Sequence, residues 1–226
     1  MFESTRRDAI RQIALGLTAA GSLEIEAAQH VHEETAAEKK AAGAYTVKAF
    51  TKHEYATVRR LAELIVPADE VSGSAVEAGA PEFIDLLASQ NRTLADIYHG
   101  GLAWLDNEMR RRHGKAFVEC AAGDQTAMLD ALVAAEREER VRAGEQLVYE
   151  RAEHYRGFAG YTTNRASDLG PGVKFLDWIR KMTVDAFYTS PAGMKDVAYP
   201  GGKGMSRYVV PKESIDYAMS RSPFQG

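Results

Sequence analysis

The sequence contains little cysteine, no long apolar run and no surplus of positive charge, and each absence excludes a class of protein. Its one cysteine, Cys120, allows neither an internal disulfide nor a cluster of thiolate zinc ligands. No stretch approaches the roughly 20 apolar residues that a membrane-spanning helix needs. The net charge of -4 gives no general attraction to the phosphates of nucleic acid. We therefore expect neither a membrane span nor a nucleic-acid partner.

The sequence also lacks the common motifs of catalytic and cofactor-binding sites. It has no G-x-G-x-x-G fingerprint for a dinucleotide, no G-x-S-x-G nucleophile motif and no C-x-x-C-H motif for haem attachment. A di-iron helical bundle would need two Glu-x-x-His pairs, and the sequence has none. The closest glycine-rich segment, residues 201–204, does not have the spacing of a phosphate-binding loop. The sequence accordingly predicts no catalytic, cofactor-binding or metal-binding residues in this chain.

What the sequence does contain is helical periodicity. Apolar residues recur at intervals of three and four, while alternation of period two is absent, so an all-α fold is predicted. Capping and breaking residues mark the ends of these helices. They are the capping box Thr51–Glu54, Pro67 as a stop, Pro81 in a first turn, Gly114 as a terminator, Asp124 as a cap, and a last amphipathic helix over residues 175–187. We expect a single helical domain over residues 50–226.

The amino terminus has the pattern of an export signal. Arg6 and Arg7 precede an apolar stretch rich in glycine and alanine, as in signals of the twin-arginine pathway. Residues 1–28 are assigned to this signal, with cleavage near Glu26-Ala27-Ala28, and residues 29–49 to a polar linker. An amphipathic helix with two surface arginines is the alternative interpretation of the first segment.

The segment after the last predicted helix is rich in glycine, proline and aromatic residues. Such a composition predicts an irregular tail, because proline and glycine interrupt helices. An irregular segment that bears aromatic side chains is suited to contact a partner protein, since aromatic residues are enriched in interfaces. The predicted interface residues are Phe187, Tyr188, Pro191, Tyr199 and Pro200.

Several segments, in this order, resemble blocks of the gluconate 2-dehydrogenase subunit 3 family. The most specific is Ile65-Val66-Pro67-Ala68-Asp69. It lies within a similar segment at 50–69, and further similar segments lie at 78–85, 101–106, 125–129 and 185–201. Residues 137–169 look like an insertion into the family's pattern.

The resemblance implies a non-catalytic small subunit that pairs with a large FAD-dependent dehydrogenase of the glucose-methanol-choline type acting on sugars or polyols. The FAD would belong to the partner, and electrons would pass on to a cytochrome c or another acceptor. Such subunits often carry the twin-arginine signal for both chains, which implies a periplasmic complex. In that oxidising compartment Cys120 can either bridge to a partner chain or remain a buried free thiol. The rival classes are an independent exported oxidoreductase and a helical scaffold unrelated to redox chemistry.

Overall fold

The computed structural model describes residues 25–70, 72–142, 168–197, 210 and 212–220, and the regular structure within these ranges is helical. This confirms the predicted all-α class. The helices are α1 (Ile25–Ala42), α2 (Lys52–Ile65), α3 (Ala80–Gln90), α4 (Arg92–His113), α5 (Ala122–Arg142), α6 (Gly170–Thr189), α7 (Pro191–Asp196) and α8 (Lys212–Ser220), with a turn of 3-10 helix at Phe117–Glu119. None of the helices in the described ranges combines the length and apolarity needed to cross a bilayer.

Helix α6 lies at the centre of the bundle and contacts α1 to α5 and α7. Two glycines allow its close approach to α4. A Cβ atom on Gly101 of α4 would lie 2.1 Å from Cδ2 of Phe175, and one on Gly172 of α6 would lie 2.1 Å from Cζ3 of Trp104. Helix packing at this distance needs residues without a side chain. The buried face of α6 consists of Val173, Phe175, Leu176, Ile179, Met182, Ala186 and Phe187.

Most predicted helix ends are confirmed. The Thr51 hydroxyl accepts from the backbone N–H of Glu54, and the Glu54 carboxylate accepts from the N–H of Thr51, which completes the capping box of α2. Pro81 occupies the first turn of α3, and Gly114 ends α4 with a φ of 73°. One prediction differs: Asp124 lies inside the first turn of α5 and does not precede it.

The polar linker predicted for residues 29–49 is wrong over 29–42, because these residues belong to α1. Ala28 and Val31 are fully buried, and α1 packs against α3 and α6. The contact uses small and polar side chains at helical spacing, including Thr35, so the composition of the segment resembles that of a solvated linker. The boundary at residue 28 also falls inside this helix.

The loop after α1 is held by one buried carboxylate. Asp85 of α3 is fully buried, and its two oxygens accept four hydrogen bonds from the loop. The donors are the Tyr45 hydroxyl (2.8 Å) and the backbone N–H groups of Lys48 (2.8 Å), Ala49 (3.0 Å) and Phe50 (3.0 Å). This arrangement fixes α1 relative to α2 and α3.

The carboxyl-terminal segment is less irregular than predicted, since it includes α7 and α8. Pro191 does not prevent α7, because proline is tolerated in the first turn of a helix. The predicted export arginines Arg6 and Arg7 lie outside the described residues, as do Tyr199 and Pro200.

Candidate partner-binding surface

The junction between α6 and α7 is a tight, internally bonded corner. The Ser190 hydroxyl donates to the carbonyl of Phe187 (2.6 Å) and accepts from the N–H of Gly193 (3.1 Å). A Cβ atom on Gly193 would lie 2.1 Å from the carbonyl oxygen of Phe187, so only glycine permits this approach. The chain therefore turns here in one defined geometry, and the residues on either side are presented on a rigid support.

Apolar side chains are exposed at this corner. Tyr188 is 42% exposed, Val197 is 55% exposed, and Pro191 is also exposed. We call these three residues the corner surface. The Tyr188 ring is oriented by an edge-to-face contact with Phe187 at a centroid distance of 5.0 Å. Exposed apolar groups on a rigid element are a feature of protein-binding sites.

Helix α1 also contacts the residues of this corner. Nε2 of His32 lies 3.2 Å from the Thr189 hydroxyl, and Nε2 of Gln29 lies 3.6 Å from Sδ of Met194 in α7. The His32 ring also packs on Phe83 at a centroid distance of 4.9 Å. Burial lowers the pKa of His32 to about 4, so this side chain is neutral at physiological pH.

The predicted interface residues divide into three groups. Tyr188 and Pro191 are exposed, as an interface residue must be, whereas Tyr199 and Pro200 lie outside the described residues. Phe187 corrects the prediction: only 1% of it is exposed, because α6 continues to Thr189 and places this ring on its buried face. The interface prediction for Phe187 is therefore wrong, and its buried ring contacts the Tyr188 ring edge to face.

The sequence prediction missed Val197, the most exposed large apolar residue of the corner. It follows the last residue of α7, and a single valine after a short helix carries no recognisable sequence signal.

Cys120 lies at the end of the 3-10 turn and is buried, with 9% of its surface exposed. Its sulfur lies 3.6 Å from the carbonyl oxygen of Lys115. Burial raises the pKa of the thiol, which disfavours the thiolate needed for disulfide exchange. This environment favours the free-thiol alternative over a bridge to a partner chain.

We expect the Cys120→Ala variant to migrate in electrophoresis without reductant as the unchanged chain does. A buried, protonated thiol contributes as a small apolar group, and alanine largely preserves that contribution. The measurement is electrophoresis, with and without reductant, of the purified chain and any protein that copurifies with it. A high-mass band that requires both Cys120 and the absence of reductant would show the bridge.

Two histidines each face a carboxylate on another helix. His53 Nε2 lies 2.5 Å from Oδ2 of Asp106, and His99 Nδ1 lies 2.7 Å from Oε1 of Glu54. Both pairs connect the start of α2 to α4. Among the described residues, no group of three or more His, Cys, Asp or Glu side chains could hold a metal ion.

Most of the chain matches a protein-family model. The family model of gluconate 2-dehydrogenase subunit 3 matches residues 52–201, which is more than half of the chain and runs from α2 past the α6–α7 corner. No curated protein and no solved structure gives a match. The family description names a subunit of a dehydrogenase. On the extent of this match, the chain belongs to the gluconate 2-dehydrogenase subunit 3 family.

Proposed function

We propose that this chain is a non-catalytic small subunit that assembles with a large FAD-dependent dehydrogenase of sugars, polyols or glycosides, stabilises it and helps to export it. The observation that carries the proposal is the family match over residues 52–201. The large partner would be of the glucose-methanol-choline type and would hold the FAD and the substrate pocket. The small subunit would contribute no cofactor of its own.

The corner surface is the part of the chain that we assign to partner contact. It supports this role because Tyr188 and Val197 are exposed while their backbone is fixed by Ser190 and Gly193. A preorganised surface loses little conformational entropy on binding. Tyrosine is also among the residues that contribute most to interface energy.

The export role rests on the sequence of the amino terminus. Arg6 and Arg7 would direct the folded complex through the twin-arginine pathway to the periplasm. The partner, loaded with FAD, would travel by association with this chain. Electrons from the reduced flavin would then pass to a cytochrome c or another acceptor.

The direct test is co-expression of the full chain, carrying an affinity tag, with the products of its neighbouring genes. We expect a large protein to be retained in about equal amount and to show the absorption spectrum of bound flavin. Recovery of this chain alone and colourless, under conditions in which the partner is soluble, would contradict the proposal. A chromophore in the chain purified alone would instead favour an independent oxidoreductase, and a partner without a redox cofactor would favour a scaffold.

The contact surface can be tested with two exposed valines. We expect Val197→Asp to weaken retention of the partner by about tenfold or more, because an interface residue must give up water and the new carboxylate opposes this. Val133→Asp is the matched control, since Val133 on α5 is 39% exposed and lies away from the corner. The measurement is the dissociation constant of the complex by surface plasmon resonance.

The outcome depends on the difference between the two valine variants, with Tyr188→Ala as a second probe of the same surface. Equal affinities for Val197→Asp and Val133→Asp, together with an unchanged affinity for Tyr188→Ala, would exclude the corner surface from the interface. That result would leave the flavin-partner proposal intact, because the partner could bind another face.

A further inference from the structure

We propose that the exported chain keeps the whole of α1, so that any proteolytic removal of the leader takes place before Ile25 and not near Ala28. This inference rests on the export proposed above. It concerns a processing site, and it reverses the cleavage position that the sequence near Glu26-Ala27-Ala28 indicates.

Residues 27 and 28 lie in the first turn of a packed helix. Helix α1 begins at Ile25, and Ala28 is fully buried one turn before the fully buried Val31. The next position, His32, is bonded to Thr189 at the end of α6. The indicated cleavage position therefore belongs to the folded bundle.

A peptidase needs an extended stretch of several residues in its active site. It breaks one peptide bond by adding water, which leaves a new carboxylate on the leader and a new amino group on the retained chain. A helix hides this bond, because its backbone is coiled where a peptidase needs it extended, and the C=O groups of this turn already accept hydrogen bonds from N–H groups one turn further on. Cleavage near Ala28 would therefore require at least the first two turns of α1 to unwind.

Unwinding those turns would break tertiary contacts as well as helical hydrogen bonds. Val31 would leave the core, and the His32 ring would leave Phe83 and Thr189. Cleavage by this route proceeds only from the small fraction of molecules in which α1 is open. Small residues that a leader peptidase selects also occur earlier in the sequence, at positions 19–22, where cleavage leaves α1 complete.

The first arm of the test is the intact mass of the tagged chain recovered with its partner from the periplasm. We expect the amino terminus to lie at or before residue 25, and an uncleaved chain would also agree with this. An amino terminus at residue 27, 28 or 29 would overturn the inference. A chain found only in the cytoplasm would contradict the export in the proposed function, and the second arm would then decide the processing site.

The second arm does not depend on export. Purified full-length chain is incubated with purified leader peptidase in detergent, and the products are mapped by mass spectrometry. Val31→Asp removes the packing of α1, whereas Ala37→Asp places the same charge on an exposed position of the same helix. We expect cleavage near residue 28 to be about tenfold faster or more in Val31→Asp than in Ala37→Asp, since burial of the valine keeps the helix closed.

His32→Ala provides a second variant if Val31→Asp does not fold, because it removes one bond and one ring contact but no aliphatic core residue. Cleavage near residue 28 in the unchanged chain would overturn the inference in this arm as well. Equal resistance of the α1 variants and the control would also overturn it, since packing of α1 would then not be what protects the site.

Discussion

Replacing Asp85 with alanine is expected to lower the free energy of unfolding by about 4 kcal/mol. The substitution leaves four donors of the 45–50 loop without their acceptor: three backbone N–H groups and the Tyr45 hydroxyl. The N–H of Phe50 is buried, so it cannot form a hydrogen bond to water in place of the one it loses. The other donors are partly exposed and recover some hydration, which keeps the loss below the sum of four buried bonds.

Two variants separate this effect from a general loss of negative charge. Tyr45→Phe removes one of the four hydrogen bonds and is expected to cost about 1 kcal/mol. Asp96→Ala removes a surface carboxylate whose ion pair with Arg92 spans 3.9 Å between largely exposed side chains, so we expect almost no change. The measurement is urea denaturation followed by circular dichroism. Similar midpoints for Asp85→Ala and Asp96→Ala would show that the loop does not depend on Asp85.

The features that the sequence predicted well are those determined by neighbouring residues. A capping box joins Thr51 to Glu54, three residues apart. Gly114 ends α4 at the position next to the last helical residue. Both signals lie within a few residues of their effect, so a local pattern identifies them. The apolar periodicity of α4 and α6 is equally local, and it predicted both helices.

The features that were missed depend on residues far apart in the sequence. The role of Asp85 is invisible locally, because its four donors lie 35 to 40 positions earlier in the chain. The sequence predicts a linker in place of most of α1, because the contacts of this helix use small and polar side chains that meet α3 and α6 only in the folded chain. Local propensity does not report such tertiary contacts.

The candidate surface also combines residues that a local pattern identifies with residues whose exposure depends on the fold. Tyr188 and Pro191 stand out in the sequence as aromatic and turn-forming residues, but Phe187 beside them stands out equally and is buried. Which of two adjacent rings faces the solvent depends on where α6 ends, and helix ends are difficult to predict to within one or two residues. The exposure of Val197 depends on the turn at Ser190, which the aromatic pattern does not reveal.

Two partly buried groups are expected to change the stability of the fold in opposite directions as the pH falls. Burial lowers the pKa of His32 to about 4. Burial also raises the pKa of Asp185 to about 6, against the opposing charge of Lys181. His32 remains neutral in the folded chain while the unfolded chain takes up its proton, so stability is lost between pH 6.5 and 4. Asp185 takes up its proton earlier in the folded chain, so stability is gained between pH 6 and about 4.

The two effects are of similar size and largely cancel in the unchanged chain. Each corresponds to about 3 kcal/mol, since a tenfold change in proton affinity is worth about 1.4 kcal/mol. Removing either group should therefore expose the effect of the other. We expect His32→Gln to gain up to about 3 kcal/mol relative to the unchanged chain between pH 6.5 and 4, and Asp185→Asn to lose about as much over the same interval.

The measurement is the free energy of unfolding in urea, at half-unit steps from pH 7.5 to 4. At each pH, the value for the unchanged chain is subtracted from the value for the variant. This difference removes the contribution of every group that the substitution leaves alone. His30→Gln is the matched control for the substitution itself, because His30 lies in the same helix with an exposed side chain. The double variant should be nearly flat if the groups act independently. A flat curve for His32→Gln would mean that this ring is protonated in the folded chain as readily as in the unfolded one, and α1 would then not bury it as the structure shows.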